Sequence, residues 1–320
     1  MAADSYQHHD YYLLDELLTE EHKMIRDSLR AWVKKSVSPI IEEYAQKAQF
    51  PAHLVKELGE IGAFGPHIPA EYGGGGLDNI AYGIIMQEIE RCDSGIRSTA
   101  SVQGSLVMYP IWRFGSEEQK MKFLPKLGSG EYLGCFGLTE PDHGSDPGGM
   151  KSHFKDAGDH VILNGSKMWI SNSPLSDVAV VWAKNEEGVV QGLIVEKGME
   201  GFSAPEIHNK WSLRASITGE LVFDNVKVPK ENILPGVKGL KGPLSCLNSA
   251  RYGIAWGAIG VALDCYDTAL KYSKERKQFG KPIAGFQLQQ KKLAEMITEI
   301  TKAQLLTWRL GRSEERRVGK

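Results

Sequence analysis

The chain has 320 residues, with 38 Lys and Arg against 40 Asp and Glu, for a formal charge of -2. That balance leaves no basic excess for nucleic acid. Apolar residues at 42% and charged residues at 24% fit a globular protein of two or three domains, and no run of about eighteen apolar residues suggests a membrane span.

The chain opens MAADSYQHHDYYLLDELL, which is acidic and has no positive start followed by an apolar run. Neither a secretory nor an Arg-rich transit segment is read there, so a cytoplasmic location is expected. Residues 10–130 then read as a helical domain. Ile25, Leu29, Trp32 and Val33 recur at helical spacing, and Pro39 ends or bends that helix. Leu54, Leu58 and Ile61 mark a second short face. Gly73 to Gly76 interrupt the pattern, because four glycines hold a helix poorly. Helix resumes over 81–89. Ser116 with Gln119 three residues later has the form of a capping box and starts a helix ending near Leu127.

From about 131 to 240 the pattern shortens to apolar or β-branched runs at 132–138, 161–163, 178–183, 189–195 and 221–228. These predict a central antiparallel β domain. Asn164-Gly165 reads as a turn between two strands, and Asp224-Asn225 and Glu200-Gly201 as further turn formers. After Pro243 the helical period returns, with one long helix over 244–274 and a second over 286–310. Gly253, Gly257 and Gly260 lie on roughly one face and predict close approach of another helix. No GxGxxG follows a strand, which disfavours a dinucleotide-binding α/β fold. The last segment, GRSEERRVGK, is charged and apolar-poor. Residues 241–311 thus read as half of a helical bundle, which cannot bury its own face without partners, and 312–320 as a charged tail of foreign origin. The four cysteines show neither zinc-ligand spacing nor a CxxC pair, and read as reduced core thiols. No metal site is expected.

Two motifs carry chemistry. Residues 134–146, GCFGLTEPDHGSD, place Thr139 at the end of an apolar strand and a Pro141–Gly144 loop whose amides can face anionic oxygens. Residues 168–172, MWISN, follow. Taken with 213–219, NSARYGIAW at 248–256 and KERKQFG at 274–280, they resemble the acyl-CoA dehydrogenases over nearly all of residues 10–311. The fold implied is α+β: an N-terminal helical domain, a central antiparallel β domain and an incomplete C-terminal helical bundle.

The resemblance implies FAD as cofactor. It places Phe136, Leu138 and Thr139 against the isoalloxazine ring, Ser145 at the pyrophosphate and beside the substrate, and Trp169 and Ser171 around the ring and its reactive nitrogen. Arg276 and Phe279 would reach the pyrophosphate and adenine of a neighbouring subunit's FAD, with Gln287 on the adenine side, in a homotetramer. An arginine suits that role through its bidentate, charge-assisted fork.

Residues 88–110, EIERCDSGIRSTASVQGSLVMYP, resemble the branch of the family that acts on glutaryl-CoA. Arg97 and Ser98 would grip the distal carboxylate, and Glu90, seven residues earlier, would share a helix face with Arg97. A carboxylate buried in an acyl pocket needs such a partner. Leu247 and Asn248 would line the CoA channel, and Arg251 would stand near the acyl-CoA and the domain junction, orienting the binding segment. Dehydrogenation of a thioester needs a base for the α-proton, an acceptor for the β-hydride and donors for the developing enolate. The family's glutamate base falls beyond Lys320 by this resemblance, so no catalytic residue is assigned and the chain reads as C-terminally truncated. The implied activity is oxidation of glutaryl-CoA, usually with decarboxylation to crotonyl-CoA, with electrons passing to an electron-transfer flavoprotein. The rival readings are a short- or branched-chain acyl-CoA dehydrogenase and a non-catalytic, partly folded fragment.

Overall fold

The computed structural model describes residues 9–318. Its helices are α1 (Glu20–Trp32), α2 (Ile41–Lys47), α3 (Leu54–Glu60), α4 (Asn79–Glu90), α5 (Ser94–Ser101), α6 (Tyr109–Phe114), α7 (Glu117–Gly128), α8 (Lys241–Glu275) and α9 (Gln287–Val318). The strands are β1 (Gly134–Gly137), β2 (His153–Asp156), β3 (His160–Ser171), β4 (Val178–Lys184), β5 (Val190–Glu196), β6 (Phe202–Ser203), β7 (Thr218–Pro229), β8 (Lys277–Gln278) and β9 (Lys281–Pro282). The chain divides into two compact units: Met1–Ser38 with Asp78–Ser94 and Gly253–Lys320, and Pro39–Leu77 with Gly95–Tyr252.

The first unit is helical. α4 is buried on nearly every side, as an apolar helix at the centre of a bundle must be. Its Glu88 is fully buried and accepts from Arg30 of α1 at 2.7 and 3.2 Å. Beyond α4, buried Arg91 pairs with Asp267 of α8 at 2.6 Å. The glycine face of α8 has the predicted effect. A Cβ on Gly260 would lie 2.1 Å from the Gln87 carbonyl oxygen, and one on Gly253 would lie 2.6 Å from the Tyr82 hydroxyl. Ile259, Leu263 and Tyr266 of α8 pack with Ile300 of α9.

The second unit holds the sheet. Seven strands run in the order β1-β4-β2-β3-β7-β6, with β5 also on β4. Alternate residues of β3, β4, β5 and β7 form its core, including Leu163, Val181, Leu193, Leu221 and Val226. Most pairings are antiparallel, as expected, but β1 and β2 each run parallel to β4.

Several boundaries differ from the sequence reading. Asn164-Gly165 makes no turn: β3 continues through it, with a register shift between Leu163 and Gly165 against β7. Gly165 has φ 135°, and Asn164 exchanges hydrogen bonds with Asn225 across the pair. A β-bulge uses the same residue types as a turn, because both need a left-handed or otherwise unusual backbone. Asp224-Asn225 is the β7 side of this bulge. Strands β2 and β6 lay below sequence detection. The Ser116 capping box forms, with Gln119 N–H donating to Ser116 Oγ and the Gln119 side chain accepting from Ser116 N–H.

Residues 94–114 form a continuous helix that widens to π geometry over Val102–Met108 between α5 and α6. α4 ends at Glu90, so Glu90 and Arg97 stand on different helices and do not share a helix face. Arg91-Cys92-Asp93 is the interruption. α9 continues to Val318, because Glu and Arg are good helix formers. The sequence reading ended this helix near 310, whereas it runs on to Val318; the side chains of 314–318, and residues 319–320, lie outside the described residues. Cys135 and Cys246 are buried, but Cys92 is only partly buried and Cys265 is exposed. Among the described residues no helix is long and apolar enough to cross a membrane.

Candidate active-site cleft

The cleft is built where β1 leaves the sheet beside the end of β3. Lys167 of β3 is fully buried. Its ammonium donates to the Leu138 carbonyl at 3.1 Å and to Glu140 Oε1 at 2.8 Å. Met168 N–H donates to the Thr139 carbonyl at 2.9 Å. The segment 138–140 is therefore stitched to 167–168, which fixes Thr139 against the following tryptophan.

Glu140 also accepts from the backbone N–H groups of Lys151 and Ser152, at 2.6 and 2.9 Å. Burial works to raise its carboxyl. The Lys151, Lys167 and Ser152 hydrogen bonds outweigh burial and hold it at about 2. Burial pulls the Lys167 ammonium below its usual value, with Glu140 opposing. Beyond Glu140 the loop turns back on itself, Glu140 N–H donating to the His143 carbonyl and His143 N–H to the Glu140 carbonyl.

β3 is bulged a second time, between Lys167 and Ile170. Trp169 there has φ 62°, a left-handed conformation uncommon for a bulky residue. The extra residue shifts the inward phase, so Lys167 and Ile170 are buried while Trp169 is turned outward and 60% exposed. The bulge thereby aims the indole into a cavity.

That cavity has a volume of about 360 Å3. Eight sequence-predicted residues line it: Phe136, Leu138, Thr139, Ser145, Trp169, Ser171, Leu247 and Arg251. Asn248 stands beside it, its Oδ1 accepting from Arg251 Nη1 at 2.8 Å. Sequence reading missed Val102 and Leu106 of the π-helical segment, and Pro147 and Leu244; Gly144 and Ile170 fall within motifs it named. Ser105, also on the π segment, accepts from the Ser249 hydroxyl of α8 at 3.2 Å. The π turn, which shifts helix phase by one residue, had no signal in an apolar run.

Other predicted residues are placed elsewhere. Arg97 and Ser98 lie partly buried on α5 and do not line the cavity. Glu90 belongs to the first unit, as do Arg276, Phe279 and Gln287. Phe279 is 93% exposed, on the two-residue ribbon formed by β8 and β9. Among the described residues no group of three His, Cys, Asp or Glu side chains could hold a metal ion.

The lining suits a planar, anionic cofactor. Phe136, Leu138 and Trp169 offer apolar and aromatic surface, Thr139, Ser145 and Ser171 offer hydroxyls, and Arg251 is the one charged lining residue among the described residues. The volume lies at the low end of the usual range for ligand sites, about 300–1,000 Å3, which suits a ring system rather than a whole dinucleotide.

Comparison with known proteins agrees along the chain. Family models described as acyl-CoA dehydrogenase N-terminal, middle and C-terminal domains match residues 19–131, 135–226 and 237–318. Glutaryl-CoA dehydrogenase of Desulfococcus multivorans is 40% identical over 312 residues, covering 94% of this chain and 80% of that protein. This chain belongs to the acyl-CoA dehydrogenase family. The dehydrogenase also superposes on a glutaryl-CoA dehydrogenase from Mycobacterium smegmatis solved in complex with FADH2. That match has a TM-score of 0.91 and 47% identity, and covers 94% of this chain and 77% of the other. The short-chain specific mitochondrial enzyme of Mus musculus is 37% identical over 298 residues, covering 91% of this chain and 72% of the relative.

Proposed function

We propose that the chain is an FAD-dependent dehydrogenase of acyl-CoA thioesters, with glutaryl-CoA as substrate and an electron-transfer flavoprotein as electron acceptor. The observation that carries the cofactor reading is the convergence of residues from 136–145, 169–171 and 244–251 on one cleft. Bound there, FAD would supply the acceptor for the β-hydride of the substrate. In this reading Trp169 covers a ring face and excludes water, while the Thr139 and Ser171 hydroxyls orient polar ring edges. Arg251 attracts the anionic phosphates of cofactor or CoA. The cleft lining contains no carboxylate among the described residues, so no general base is assigned.

Glutaryl-CoA is supported by the 88–110 motif and by the two glutaryl-CoA dehydrogenase relatives. In this reading Arg97 and Ser98 hold the distal carboxylate, and decarboxylation to crotonyl-CoA follows oxidation. One observation favours a short-chain substrate instead: Arg97 and Ser98 are absent from the cavity lining, whose Val102, Leu106, Leu244 and Leu247 are apolar. The exposure of Arg276 and Phe279 supports their reaching a neighbouring subunit, and with it a homotetramer.

The deciding experiment is an anaerobic titration of the FAD-loaded chain with glutaryl-CoA and, separately, butyryl-CoA, followed by the visible flavin spectrum. A shift of the flavin band by glutaryl-CoA at lower concentration than by butyryl-CoA is the expected result, because binding perturbs the flavin without a base. The reverse order would establish the short-chain reading. A flavin spectrum that neither ligand perturbs would remove the acyl-CoA assignment from this cleft.

A further inference from the structure

The start of β1 is held in a way that the cofactor motifs do not require. Gly134 meets a buried side-chain amide on each of its backbone polar groups. Its N–H donates to Gln103 Oε1 at 2.8 Å, and its carbonyl accepts from Asn172 Nδ2 at 3.2 Å. Both amides are fully buried. Gln103 Nε2 donates to the carbonyls of Leu127 and Tyr132, each at 2.8 Å, so every polar atom of its amide is bonded. Asn172 is fixed by its own backbone: φ is 71° and its N–H donates to the Ile217 carbonyl at 3.0 Å. Its Oδ1 is buried with no hydrogen-bond partner. Gly134 cannot be replaced without disturbing this join, because a Cβ there would stand 2.4 Å from Val107 Cγ1.

The two amides come from different elements that line the cleft. Gln103 lies on the π-helical segment between Val102 and Leu106, which both line the cavity. Asn172 directly follows Ser171, two residues after Ser171's partner in the lining, Ile170. We infer that the Gln103–Gly134–Asn172 bridge sets the spacing between the acyl-side wall (Val102, Leu106) and the flavin-side wall (Trp169, Ser171), making Gln103 and Asn172 positioning residues for acyl-chain selection. Neither side chain lines the cavity, so each acts through the wall residue beside it. The fully satisfied Gln103 amide suits this task, because any shift of its wall breaks a buried hydrogen bond. The π geometry adds to the effect. One extra residue in the turn packs Val107 onto the β1 backbone while Val102 and Leu106 keep the cleft.

The inference rests on the acyl-CoA reading of the cleft, and its test separates the two. The FAD-loaded chain is titrated calorimetrically with S-butyl-CoA and S-octyl-CoA, thioethers that cannot be dehydrogenated, and its melting temperature is recorded. The variants are Gln103→Met, which keeps length and removes the amide, and Asn172→Gly, which tolerates a positive φ. Asn172→Gly serves if Gln103→Met does not fold. The expected result is a change of about fivefold or more in the ratio of the two dissociation constants, the effect of about 1 kcal/mol acting on one chain length and not the other. If both dissociation constants change by one common factor, or only the melting temperature falls, the bridge is merely structural and the inference is overturned. If the unsubstituted chain binds FAD but neither thioether, the acyl-CoA reading fails, and this inference falls with it.

Discussion

Glu140 shows how a single residue links the motif to stability. A surface carboxylate in its place would be one more charged loop residue. Here it is 5% exposed, neutralises Lys167 and accepts two backbone N–H groups. The Lys167–Glu140 pair holds the strand end that presents Thr139. The folded carboxyl titrates at about 2, below the ordinary value of 4.5. A depressed carboxylate contributes stability in full above its unfolded value and loses it as pH falls through the folded one. This contribution is therefore constant at neutral pH and disappears between about pH 4.5 and 2. Glu140→Gln should flatten stability over that window, measured by urea unfolding at several pH values. At pH 7 the same variant should be less stable by about 3–5 kcal/mol, because Lys167 is left buried without its counter-charge. An unchanged pH dependence would mean that the carboxylate is solvated rather than held by these donors. The motif named Glu140 as a letter in TEPDHGSD, but only the structure supplies its partner. The phase of β3 contained the clue: Lys167 occupies an inward position of a strand whose other inward residues are apolar.

At the scale of elements, the sequence was most legible where a local chemical rule decides the outcome. The Ser116 capping box, the glycines three and four apart on α8 and the apolar runs of β4 and β5 are set by neighbours a few residues away, and each appears where expected. The rest depended on long-range packing. Asn164-Gly165 suits either a hairpin turn or a bulge, and only the pairing of β3 with β7 decides between them. The break at 91–93 separates Glu90 from Arg97, although spacing alone placed them together. The Trp169 bulge was invisible because nothing in MWISN announces a positive φ at a tryptophan. The α8 glycine face makes a prediction of its own. Gly260→Ala puts a methyl group where the Gln87 carbonyl of α4 stands, 2.1 Å away. Two backbones must then separate, which costs about 1–3 kcal/mol even though alanine is the better helix former. Chemical denaturation should show a loss. A gain, as helix propensity alone predicts, would show that α8 and α4 are not in contact at this point.

At the scale of the whole molecule, every residue of the cleft comes from the unit made of Pro39–Leu77 and Gly95–Tyr252, whereas Arg276 and Phe279 belong to the other. Cofactor binding should therefore leave a distinctive trace. A ligand that binds only the folded chain stabilises it by mass action, by about 2.7 kcal/mol at a concentration of 100 times its dissociation constant. FAD at that excess should raise the melting temperature by about 4 °C, since about 1.5 °C accompanies each kcal/mol in a chain of this size. Hydrogen exchange locates the effect. Slowed exchange is expected over 102–106, 136–145, 168–172 and 244–251 at any protein concentration, because one chain supplies all of them. The segment 274–280 obeys a different rule if it reaches a neighbour's cofactor. Its protection should appear only where sedimentation shows an assembled oligomer, and should vanish on dilution while protection of the cleft persists. Protection of 274–280 in the monomer would remove the neighbour from the argument. Uniform protection across both units would mean that FAD tightens the fold generally rather than occupying this cleft.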